Sequence, residues 1–128
     1  MKYLFLDDER IPGDVTWIDI GPHPWNIVRS YEQATKWVLD NGFPDVISFD
    51  HDLGYEAFDT NENGIIIVTD STEVESGFDF AKWLIDYDMD TNTMPPNFKF
   101  TVHSMNPVGA KNIQMLIDNY IYRVKGIS

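Results

Sequence analysis

The stretch VISFDHDLG, Val46–Gly54, is nearly all apolar as far as Phe49, then sets Asp50, His51 and Asp52 side by side and closes on Leu-Gly. A short run of this kind is how a strand buried on both faces of a parallel sheet reads. An earlier run, YLFLDDER (Tyr3–Arg10), ends the same way, with acids straight after hydrophobic residues. Two strands that each stop on carboxylates bear on the fold and on the chemistry together.

Working outward, WNIVRS (Trp25–Ser30) and FKFTV (Phe98–Val102) read as two further strands. Between the first two strands lie Pro12, Gly13, Gly21, Pro22 and Pro24, which forbid a long helix and predict an irregular connection. SYEQATKWVLDNG reads as a helix: Ser30 with Gln33 forms a capping-box pattern, and Ala34, Trp37 and Val38 recur on one face. Gly42 and Pro44 stop it. SGFDFAKWLIDYD (Ser76–Asp88) is a second amphipathic helix, with Phe80, Ala81, Trp83, Leu84 and Tyr87 facing inward. NPVGAKNIQMLIDNYIY is the third and longest, with Asn106 as N-cap and Pro107 at its first position. The acidic segment from Tyr55 to Glu75 is an insertion, in which EAFDT against GIIIV predicts a small hairpin across Asn61–Gly64.

Strands alternating with helices predict an α/β fold, a parallel sheet covered on both sides. The length of 128 residues fits a single domain over 1–128. Ligands of such sheets bind outside the carboxyl ends of the strands. Asp7 and Asp8, Asp50 to Asp52, and His103 with Ser104 would therefore converge on one crevice, although they are far apart in sequence.

Composition narrows the chemistry. Hydrophobic residues make up 43% and aromatics 14%, which is globular. The absence of cysteine excludes disulfides, thiolate metal sites and cysteine nucleophiles, and fits a reducing cytosol. No apolar run reaches the length of a membrane span, and MKYLFLDDER meets acid too early for a signal peptide. A cytoplasmic protein with no membrane role is the expectation. A formal charge of -12 argues against duplex DNA, whose binding rests on neutralising phosphates. It accords either with simple solubility or with acids gathered around a cation.

Asp7, Asp8, Asp50 and Asp52 form the candidate metal set. While the chain stays extended, Asp50 and Asp52 point to one side and His51 to the other. Carboxylates packed together repel unless a cation joins them, and an oxygen-rich set suits Mg²⁺ or Mn²⁺. His103 and His51, with Asp50, are the candidate catalytic groups; either histidine could move a proton or ligate metal. Ser104, and Asn106 at a helix N-terminus, could hold phosphate oxygens. Lys111 in the first turns and Arg10 could do the same, or serve as an ordinary exposed lysine and as a partner for a nearby acid. Trp37 and Trp83 read as core; Trp17 and Trp25 border the loop, where base stacking is an open option.

An acidic pair after the first strand, an aspartate after the third and a hydroxyl residue after the fourth resemble a response-regulator receiver domain. The resemblance implies a flavodoxin-like three-layer sheet, Mg²⁺ on Asp7 and Asp8, phosphoryl transfer to Asp50, and Ser104 or Thr101 as the hydroxyl. The chain departs from receivers in ending on YRVKGIS, with no fifth strand and no Lys-Pro. The fuller set LFLDDERIP, ISFDHDLG, SGFDFAKWL and VHSMNPVGAKNI is more similar to the cyclic-phosphate-processing receiver-like family of bacteria and phages. That likeness runs from residue 4 to the last helix, outside the 55–75 insertion. It implies a role for Asp7, Asp8, Asp50, His51, Asp52, His103 and Ser104.

The leading expectation is a metal-dependent phosphoesterase for a cyclic nucleotide or a 2′,3′-cyclic RNA end, in a bacterial or phage-infected cell. Its partner would be a small phosphorylated ligand or that RNA end. Two alternatives stand beside it: a signalling receiver phosphorylated on Asp50, and a non-catalytic binder of a cyclic nucleotide or host protein. The 55–75 insertion is either a solvated excursion or the surface for a protein partner.

Overall fold

The structure, a computed structural model, describes residues 1–52, 58–60, 66–68 and 76–126. Its strands are β1 (Tyr3–Leu6), β2 (Asn26–Val28), β3 (Val46–Phe49), β4 (Phe58–Thr60), β5 (Ile66–Val68) and β6 (Lys99–Val102). The helices are α1 (Tyr31–Asn41), α2 (Gly77–Thr91) and α3 (Pro107–Arg123), with a 3₁₀ turn over Pro12–Asp14. Four strands form one sheet in the order β2-β1-β3-β6, and every pairing is parallel.

The helix starts follow local chemistry. Ser30 Oγ accepts from the Gln33 backbone N–H at 3.1 Å, capping α1. Gln33 does not close the expected box on Ser30, because its side chain accepts from the Arg29 N–H, one residue earlier, at 2.8 Å. On α2 the box is closed, between Ser76 and Asp79. Asn106 caps α3 by accepting from Gly109 N–H at 3.1 Å, with Pro107 at the first helical position. The α2 helix continues past Asp88 to Thr91 and ends on Asn92 in the left-handed region, φ 50°.

Topology places the layers. The step from β1 to β2 moves one way across the sheet, while β2 to β3 and β3 to β6 move the other way. Right-handed crossovers then put α1 and α2 on one face and the β1–β2 connection on the other. The helical face is the main core: Leu4, Leu6, Ile47 and Phe49 from the sheet meet Ala34 and Val38, Phe80, Ala81 and Leu84, and Ile113 and Ile117. Each such fully buried large side chain contributes about 1.5–3 kcal/mol. On the opposite face the Pro-rich loop is the cover. His23 stacks on Tyr3 at 4.3 Å, and Trp25 meets the rings of Tyr3 and Phe5 edge-on. The sheet is thus covered on both sides, by helices on one and by the Pro-rich connection on the other.

The expected pairing within the insertion is present: β4 and β5 are antiparallel, with Asp59 opposite Ile67. The turn Asn61–Gly64 and the rest of the 55–75 segment lie outside the described residues, as do Leu53 and Gly54. Among the described residues, no helix is long and apolar enough to cross a membrane.

Candidate active site

Parallel pairing aligns Leu6 with Phe49 and Phe49 with Val102, so the next residue on each strand is Asp7, Asp50 and His103. The ladder runs one step further and fixes them: Asp50 N–H donates to Leu6 O and His103 N–H to Phe49 O, both at 2.9 Å. Asp7 N–H donates to Val28 O at 3.1 Å. The three side chains stand at the carboxyl ends of the strands, beside the point where the connections reverse direction. Each has an atom able to ligate a cation within 4.8 Å of the others, and all three residues are buried.

Their electrostatics differ. Asp7 Oδ1 accepts from the backbone N–H groups of Glu9 and Arg10, each at 2.9 Å. Its Oδ2 accepts from His103 Nε2 at 3.0 Å and faces Arg10 at 3.5 Å. Burial pushes its pKa up, but the His103 bond and the two backbone donors outweigh burial and keep it well below the usual carboxylate range. Among the described residues Asp50 has no such donors. Burial first, and then the charge of Asp7, push its pKa up to about 6. Asp8 is also raised, by burial and then by Asp7. The strand ends therefore concentrate negative charge in a poorly solvated place.

His103 is wholly buried. Its ring stacks on Phe5, with centroids 4.5 Å apart and planes 3° from parallel. Nδ1 meets Ser48 Oγ at 2.7 Å, and Thr101 Oγ1 donates to the same Oγ at 2.9 Å. Trp17 closes over the residue, its Nε1 donating to His103 O at 2.9 Å. The Arg10 guanidinium lies 5.1 Å from the centre of the Trp17 ring.

The strand ends at Phe49 and the chain turns at His51, whose carbonyl accepts from Gly77 N–H at 2.8 Å. Asp52 consequently leaves the line of Asp50. Its side chain is exposed, outside the buried group, and it meets His51 Nδ1 at 2.9 Å. Two glycines allow this turn to pack. A side chain on Gly77 would collide with the carbonyl oxygen of Asp50, and one on Gly109 with the ring of His51.

The remaining candidates are placed as follows. Arg10 lies beside Asp7. Ser104 Oγ accepts from Asn106 N–H at 3.1 Å, and Asn106 caps α3, so both shape the loop after β6. Lys111 is exposed on α3, with no hydrogen bond or ion pair among the described residues. Sequence reasoning did not single out Arg29, which donates to Asp7 O at 3.2 Å and Arg10 O at 2.5 Å and so ties the end of β2 to the acidic loop. Its signal was its position, directly after a strand, as Asp7 is. Ser48 is the one hydroxyl in the otherwise apolar Val46–Phe49, a local pattern that marks it only as a polar residue in a buried strand.

The model of the cyclic-phosphate processing receiver domain family matches residues 2–119, and the chain belongs to that family. No curated protein and no solved structure matches it.

Proposed function

We propose that this chain, as a member of the cyclic-phosphate processing receiver family, is a metal-dependent phosphoesterase that opens the cyclic phosphate of a cyclic nucleotide or a 2′,3′-cyclic RNA end. The observation that carries this reading is the buried, like-charged pair Asp7 and Asp50 at adjacent strand ends. Two carboxylates so placed, one with its pKa pushed up to about 6, fit a cation between them. Asp7 and Asp50, with Asp8 in support, would hold Mg²⁺ or Mn²⁺ through oxygen. Such an ion supplies polarisation of the phosphoryl group and a more acidic bound water.

Hydrolysis joins a water oxygen to phosphorus and breaks one phosphorus–oxygen bond to the sugar, giving a phosphomonoester and a free hydroxyl. One proton leaves the water and one reaches the departing oxygen. His51 is the better-placed carrier. Donation from its Nδ1–H to Asp52 leaves Nε2 as a base with no partner among the described residues. His103 has both ring nitrogens engaged and no exposure, which suits positioning rather than proton transfer. Arg10, the hydroxyl proton of Ser104 and the N-terminus of α3 would hold the oxygens of the anion, with Lys111 further along the helix.

The test is incubation of the purified protein with Mg²⁺ or Mn²⁺ and a panel of 2′,3′- and 3′,5′-cyclic phosphates, followed by phosphorus NMR. Turnover lost in Asp50→Asn is the expected result. Absence of turnover, or turnover indifferent to that substitution, rejects the reading.

A receiver-like alternative is favoured by one observation, the alignment of Asp50 beside the pair Asp7 and Asp8. Treatment with a small acyl phosphate and Mg²⁺ separates the two. A stable mass increase on Asp50 without cyclic-phosphate turnover supports the alternative.

A further inference from the structure

We propose that Ser48 and Thr101 form a hydroxyl relay that, together with the Asp7 carboxylate, holds the His103 proton on Nε2, making His103 the donor that orients Asp7 and not a ligand of the cation. The inference rests on the reading of Asp7 and Asp50 as a cation site.

The relay follows from counting protons. Thr101 Oγ1 donates to Ser48 Oγ at 2.9 Å. A hydroxyl has one proton of its own, and that of Ser48 points to its other close partner, His103 Nδ1, at 2.7 Å. Nδ1 is therefore an acceptor. A neutral imidazole has one donor and one acceptor nitrogen, so the proton sits on Nε2. Nε2 faces Asp7 Oδ2, an acceptor, at 3.0 Å. Every group in the line Thr101–Ser48–His103–Asp7 then has a complementary neighbour, and no buried side-chain polar atom among the described residues lacks a partner.

The sheet builds this seat from one rung. Ser48 is paired in register with Thr101 on one side and Phe5 on the other. The two hydroxyls set the hydrogen-bond direction, and Phe5 supplies the flat surface on which the ring lies. The rung is immediately below the strand ends, and it reaches Asp7 through the His103 ring. Nε2, with its proton turned toward Asp7, has no lone pair for a metal. Ligation through that nitrogen would require the whole relay to reverse. Oxygen donors are left to hold the ion, which is what a hard cation prefers, and His103 acts in the outer shell that orients them.

The measurement is the long-range ¹H–¹⁵N correlation spectrum of the histidine rings in ¹⁵N-labelled protein, first with chelator and then with Mg²⁺. The expected spectrum shows His103 protonated on Nε2 and unprotonated on Nδ1 in both conditions. An unprotonated Nε2, or an Nε2 signal that becomes metal-shifted on adding Mg²⁺, overturns the proposal. Ser48→Ala leaves Nδ1 without its donor while Asp7 still calls for a proton on Nε2, so the tautomer should persist and the Nδ1 signal should move. Mn²⁺ affinity should fall on the order of 10-fold, and Ser48→Thr should restore both signal and affinity. Thermal unfolding verifies that the variants are folded; if Ser48→Ala is not, Ser48→Cys, which keeps the volume and leaves only a weak donor, carries the same test. A His103 signature identical in the wild type and in these hydroxyl-deleted variants also overturns it. The spectrum of the chelated protein reads the relay whether or not any cyclic phosphate is hydrolysed, so the two proposals fail separately.

Discussion

The ring of His51 occupies the space that a side chain on Gly109 would fill. A glycine in the first turn of α3 thereby positions a residue of the loop after β3. Gly109→Ala should displace the ring while leaving the fold intact, because a side chain can swing away where backbone cannot. Turnover of the cyclic phosphate should fall about 10-fold or more with little change in melting temperature. Gly77→Ala makes the contrast: the added methyl meets the backbone carbonyl of Asp50, which has nowhere to go. Overpacking there should cost about 1–3 kcal/mol or more in urea unfolding. Equal stability losses in the two variants would contradict the distinction.

Asp7 and Asp50 should respond oppositely to pH. The fold lowers the pKa of Asp7, so its contribution is present above the unfolded value and is lost as pH falls through the folded one. Asp7→Asn should therefore destabilise the protein at pH 7. The fold raises Asp50 from 3.8 to about 6, so the neutral form is preferred and stability declines as pH climbs through that window. In chelator, Asp50→Asn should raise the melting temperature at pH 7, with the gain disappearing below pH 3.8. Cation binding requires the Asp50 proton to leave, so stabilisation by Mn²⁺ should be larger at pH 7 than at pH 5. Melting curves across pH, with and without Mn²⁺, check all three.

Asp52 separates binding from chemistry. Its carboxylate is exposed and engaged with His51, outside the buried group. Asp52→Asn should leave Mn²⁺ affinity within about twofold by calorimetry while lowering turnover on the order of 10²-fold, the scale of general acid–base help. A large loss of Mn²⁺ affinity would return Asp52 to the ligand set.

What the sequence made legible was whatever local pattern encodes. The apolar runs of Tyr3–Leu6 and Val46–Phe49 are strands, and the abrupt carboxylates after them mark strand ends that parallel pairing brings together. Ser76, Ser30 and Asn106 announced their helices through capping chemistry. Asp52 was harder, because alternation of side chains applies only within a strand and β3 stops at Phe49. Ser48 and Thr101, 53 positions apart, gain meaning only from cross-strand register, and Trp17 reaches His103 across 86 positions. Neither relation leaves a local trace. His103 reads as a rim residue in sequence, yet the Pro-rich loop folds over it and buries it.

The far end of the helical layer depends on one buried acid. Asp88 is 1% exposed on α2, and its two oxygens take three donors: Met94 N–H at 2.7 Å, Tyr120 O–H at 2.5 Å and Lys125 Nζ at 3.0 Å. These link the end of α2, the turn after it and the end of α3. Burial raises the Asp88 pKa, but the three donors together lower it below the ordinary value, so the residue is a charged anchor. Tyr120→Phe removes one donor to a charged acceptor and should cost about 1.5–3 kcal/mol. Asp88→Asn keeps the shape but loses the charge and turns an acceptor into a donor facing donors, so it should cost more. Both should leave the His103 ring spectrum unchanged, since Asp88 is not among the partners of the strand-end cluster. Urea unfolding beside that spectrum checks the pair; a perturbed His103 signal in either variant would show that the two ends of the fold are coupled.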